Sequence, residues 1–124
     1  MFGWLRKRKA RAARDAHWQV VVTTDTISVG APGHDVVRLA KAELSAVAIE
    51  IGDGDRWWLL FGADGERALA FPHGATGEVF AIDYLAALGG FDQRAMTRAM
   101  RSRRRHVFPV WQRNTVIAFP SSRA

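Results

Sequence analysis

Over residues 18–72 short β-branched and aromatic runs, alternating at 47–51 and continuously apolar at 57–61, are separated by turn residues, and beyond residue 76 the apolar positions recur at three- and four-residue intervals. The first pattern is that of strands, the second that of a helix. Residues 18–24, rich in valine and threonine, predict a strand, and a tight turn at Asp25-Thr26 leads into another at 27–29. Gly30-Ala31-Pro32-Gly33 breaks the run, and 36–39 predicts a short third strand. Residues 40–44 have helical composition, yet Val47, Ile49 and Ile51 alternate with Ala48 and Glu50. That pattern predicts a turn or irregular segment followed by a strand at 45–51. Gly52-Asp53-Gly54-Asp55 and Asp64-Gly65 then read as hairpin loops around an aromatic strand at 56–61, with a further strand at 68–72. Short connections of this kind require mostly antiparallel pairing.

The period changes after the bridge His73-Gly74-Ala75-Thr76-Gly77-Glu78. A helix is predicted over 77–88, capped by Thr76, with Phe80, Tyr84 and Leu88 on one stripe and Ile82 and Leu85 beside it. Gly89-Gly90 ends it. Asp92 caps a second helix at 93–102, and Phe91 and Met96 are spaced for a hydrophobic staple. Ala95, Met96, Ala99 and Met100 share one face of this helix, and Arg94, Arg98 and Arg101 lie opposite. Residues 107–111 predict an edge strand, because Pro109 cannot donate to a central ladder. Residues 116–119 are placed to pair back on it. The expected fold is α+β: one bent antiparallel sheet of five to seven strands packed by a C-terminal helix. The expected organisation is a basic segment at 1–15, a single domain at 16–120 and a tail at 121–124, which 124 residues comfortably accommodate.

Charge adds a second layer. Residues 1–15 carry +5, residues 16–93 carry −7, and residues 94–124 carry +8 with eight arginines and no acid. Such ends either pair with the acidic body as solvated charge or contact an anionic surface, whether nucleic acid or membrane. Phe2, Trp4 and Leu5 beside Arg6, Lys7, Arg8 and Lys9 have the composition of a shallow interfacial anchor. Arg101, Arg103, Arg104 and Arg105 are candidate phosphate contacts, with no stacking platform or base-reading helix beside them. No apolar stretch approaches the roughly 20 residues that span a bilayer, and no apolar segment follows the basic start as in a signal peptide. A cytoplasmic location is expected, with the periphery of the inner membrane as the alternative.

Chemistry is sparse. The chain has no cysteine, which removes disulfides, thiolate catalysis and thiolate metal sites. His17, His34, His73 and His106 are scattered, without the spacing of a metal-binding helix. Asp53 and Asp55 lack the rest of a calcium loop. The 73–77 bridge precedes a helix, where anions bind well, but it lacks the lysine of a nucleotide loop. No catalytic residue, cofactor or metal is expected. The tryptophan pair is more suggestive, since neighbours on a strand point to opposite faces. Trp57, with Leu59 and Phe61, is expected in the core. Trp58 and Leu60 occupy the other face, a candidate interaction surface if helices cover only one side.

From Trp57 to Trp111 the chain resembles a group of small, uncharacterised bacterial proteins. The marks are Phe71-Pro72-His73-Gly74-Ala75-Thr76-Gly77-Glu78, then Leu88-Gly89-Gly90-Phe91-Asp92, Ala99-Met100 and Phe108-Pro109-Val110-Trp111. Gly89 stands where that pattern has proline, which loosens the turn. The preceding strand order is similar to bacterial pleckstrin-homology-like domains, in which a bent antiparallel sheet is closed by a C-terminal helix. The resemblance implies a fold and no reaction. The expectation is a non-catalytic interaction module that binds a protein partner or itself. The alternatives are peripheral membrane association through the N-terminal residues and, third, electrostatic nucleic-acid binding. No small-molecule substrate is indicated.

Overall fold

A computed structural model describes residues 17–113 of the chain. Strands β1 (Gln19–Val22), β2 (Thr26–Ala31) and β3 (His34–Ala40) form one antiparallel sheet in chain order. Strands β4 (Ala46–Ile51), β5 (Arg56–Phe61), β6 (Arg67–Pro72) and β7 (His106–Gln112) form a second, ordered β6-β5-β4-β7. Helices α1 (Glu78–Ala86) and α2 (Gln93–Arg101) connect β6 to β7. The α+β class therefore stands, with two sheets in place of the expected single one.

The division falls at the irregular segment read from the sequence. A 3-10 turn at Lys41–Glu43 is tied back by Lys41 N–H donating to the Asp25 carbonyl, 2.7 Å, and closed by Leu44 N–H donating to Lys41. Leu44 is fully buried there. The chain is turned out of the first sheet, and β4 pairs with β5 and β7 instead of β3. One core joins both sheets: Val20, Ile27, Val29 and Leu39 from the first meet Val47, Ile49, Trp58 and Phe71 from the second. Among the described residues strand β7 is an edge, consistent with Pro109, and its register shifts opposite Val47 and Ala48.

Two expectations for α1 are corrected. Thr76 does not cap it; the N-cap is Gly77 in the left-handed conformation, and no side chain serves. Thr76 instead acts through its backbone, accepting from Val20 N–H at 2.8 Å and donating to the Trp18 carbonyl at 2.9 Å. The bridge thus covers the outer edge of β1, an edge that would otherwise expose unpaired backbone. The apolar stripe is also rotated. Ala81 and Leu85 are fully buried, whereas Phe80 is 66% exposed. Docking of 75–77 against β1 sets that rotation, and side-chain size does not. The second helix follows its sequence: Asp92 accepts from Ala95 N–H at 2.9 Å, and Ala95 and Ala99 are buried.

Candidate functional site

Trp58 and Leu60 do not form a surface. Both are fully buried, and Trp57 and Leu59 on the opposite face are nearly so. Register explains the first pair. Phe71, Trp58, Ile49 and Phe108 lie in a row across β6, β5, β4 and β7. The Trp58 and Phe71 rings stack at 6.2 Å, and this face carries the continuous core that was expected on the Trp57 side. The interaction surface proposed for Trp58 and Leu60 is therefore closed within the fold.

The Trp58 indole leads to a buried carboxylate with three partners. Trp58 Nε1–H donates to Glu78 Oε2 at 2.9 Å, and Gly74 N–H donates to Glu78 Oε1 at 2.8 Å. His73 Nδ1 lies 2.8 Å from Oε2. Glu78 is buried while the His73 side chain is about half exposed. A buried carboxylate survives only if its lone pairs are satisfied, and here three groups converge on it. The node therefore latches β5, the 73–77 bridge and the first turn of α1. Although His73 and Glu78 form a histidine–carboxylate pair, the carboxylate is engaged by structural donors on both oxygens. Sequence reading passed over Glu78, whose signal was an acid immediately after a glycine at a helix start.

The exposed charge gathers elsewhere. Helix α2 turns its Ala95–Ala99 face inward and presents Arg94, Arg98 and Arg101 to solvent, and Arg103, Arg104 and Arg105 follow in the exposed loop before β7. The helix is held at its far end by Arg56, whose Nε and Nη2 donate to the Ala99 and Ser102 carbonyls at 3.1 and 2.8 Å. Those carbonyls lie at the electronegative end of the helix, where the Ala99 carbonyl also accepts from Ser102 N–H, so a guanidinium is well placed there. At its start, Asp92 N–H donates to the Val110 carbonyl at 2.7 Å, and Trp111 Nε1–H donates to Gly89. The helix is thus anchored at both ends to the second sheet.

The cationic groups divide by role. Arg56 caps α2, and Arg113 binds the Leu44 carbonyl. Arg105 pairs with Asp53. No carboxylate among the described residues pairs with Arg94, Arg98, Arg101, Arg103 or Arg104. Of the four arginines expected to contact anions, Arg101, Arg103 and Arg104 are brought together and Arg105 is partly neutralised. Arg94 and Arg98 extend the patch along the helix.

Phe2, Trp4, Leu5, Arg6, Lys7, Arg8 and Lys9 lie outside the described residues, as does the strand expected at 116–119. Among the described residues no group of His, Asp and Glu is arranged to hold a metal ion, and no helix is long and apolar enough to cross a membrane. No family model, curated protein or solved structure matches the chain.

Proposed function

We propose that this protein is a non-catalytic interaction module that docks through the arginine face of α2 and the 102–105 loop onto an acidic protein surface. The observation that carries this reading is the set of five exposed arginines, unpaired by any described carboxylate, on a helix fixed at both ends. From residue 94 onward the chain has eight arginines and no lysine. A guanidinium sheds water more readily than an ammonium and binds carboxylates bidentately, which is why arginine is enriched at protein interfaces. A bilayer would be served as well by lysine. Membrane association through the N-terminal aromatic and basic residues remains the second reading, supported by their composition alone. Cytoplasmic residence at or near that membrane goes with these readings.

For the fold, a pleckstrin-homology-like barrel is the finer proposal. Two antiparallel sheets of three and four strands around one core support it; both helices preceding the last described strand is a departure from that pattern.

The test compares tagged full-length chain with an Arg94→Glu, Arg98→Glu, Arg101→Glu triple variant in co-purification, and in sedimentation with vesicles of anionic and neutral lipid. The proposal expects a defined protein captured by the parent, released by salt and lost in the variant. Identical capture by both proteins refutes it. Pelleting with anionic vesicles, abolished in the variant, would transfer the site to a membrane.

A further inference from the structure

A cleft of about 410 Å³ opens where β3 of the first sheet meets β6 of the second. That volume accommodates a one- or two-ring molecule and lies at the small end of ligand sites. Trp18 forms its aromatic wall, backed edge to face at 5.5 Å by the buried Trp57, and the His34 ring is 5.3 Å from Trp18. Val37 and Leu69 add apolar surface. Charge enters from both strands, with Asp35 on β3 and the half-buried Arg67 on β6.

One indole in this wall differs from the other described ones. Trp57, Trp58 and Trp111 each donate their indole N–H, to Asp55, Glu78 and Gly89 respectively. Trp18 Nε1 is buried and has no acceptor among the described residues. Buried donors left unmatched are uncommon in folded proteins, and each calls for an explanation. A ligand acceptor beside the ring would supply one.

We propose that this cleft binds a small planar aromatic monocarboxylate. Its ring lies against Trp18, which the buried Trp57 holds from behind. Its carboxylate accepts from Trp18 Nε1–H after a small turn of the indole, and Arg67 supplies the opposing charge. Asp35 on the facing strand disfavours a second negative charge, which restricts the ligand to a monoanion.

The experiment is a titration of the 15N-labelled full chain with indole-3-carboxylate, read by proton–nitrogen NMR. Five tryptophans give five indole signals, and Trp18→Phe identifies one; sequential assignment of the parent replaces that variant if it does not fold. The proposal expects the Trp18 signal to move to saturation. Indole, which lacks the carboxylate, and the Arg67→Gln variant should each bind roughly tenfold more weakly, the loss of one charge-assisted hydrogen bond. A Trp18 signal that stays put, drifts without saturating, or responds equally to indole overturns the proposal. So does an Arg67→Gln variant with unchanged affinity. None of these outcomes bears on the arginine face of α2.

Discussion

Replacing Gly77 with alanine tests how the bridge to α1 is held. Gly77 has φ +88°, and an added Cβ would land on the Val20 carbonyl oxygen, a backbone atom that no rotamer change can remove. The left-handed conformation alone costs alanine roughly 1–2 kcal/mol. Relieving the overlap requires β1 to part from the bridge. That movement weakens the Val20–Thr76 and Thr76–Trp18 hydrogen bonds, at 2.8 and 2.9 Å, each contributing about 1 kcal/mol. The expected loss is about 3–4 kcal/mol, a large part of a stability that for domains of this size runs to about 5–15 kcal/mol. Gly74→Ala is the internal control. Gly74 has φ +97° with open space around it, so only the conformational cost of roughly 1–2 kcal/mol applies. Urea unfolding followed by tryptophan fluorescence, with slopes of about 1–3 kcal/mol/M, should place the two midpoints on the order of 1 M apart. Coincident midpoints would show that β1 is not held by the bridge and would refute the reasoning.

Glu78→Ala leaves the buried Trp58 indole N–H without its acceptor and should cost about 2–3 kcal/mol in the same unfolding assay. His73→Ala, removing a half-exposed partner of that carboxylate, should cost about 1 kcal/mol or less; an equal loss would argue against the latch. Asp92→Ala removes the cap on Ala95 N–H and should destabilise by about 1 kcal/mol, and asparagine at that position should restore most of it. Trp58→Ala, emptying a fully buried site, should cost about 3–5 kcal/mol; a change confined to self-association, with stability intact, would restore the surface reading. Reversing Arg94, Arg98 and Arg101 should cost about 1 kcal/mol or less per site, most at Arg98 and Arg101 in the last turn of the helix, so lost binding by a variant that stays folded would report on the contact itself.

What could be read along the chain was local. The hairpin loops at Gly52-Asp53-Gly54-Asp55 and Asp64-Gly65, the Asp92 cap and the Ala95–Ala99 face of α2 depend on a few neighbouring residues. Each appears in the structure where those residues require it. The arginine spacing of α2 was equally plain, because a helix converts three- and four-residue intervals into a face.

The remainder turned on partners distant in sequence. Alternation showed that Trp57 and Trp58 point oppositely, but which side became the continuous core depended on the row formed with Phe71, Ile49 and Phe108. Composition gave Phe80 to the helix core; docking of Thr76 beside β1 turned it outward. The acidic side chain of Glu78 looked like ordinary first-turn charge until folding brought Trp58 and Gly74 to its oxygens. Chain-local rules encode periods, caps and turns, because their energies arise among near neighbours. Which faces meet, and which polar atoms are left to satisfy one another, is decided only when the two sheets close on a common interior.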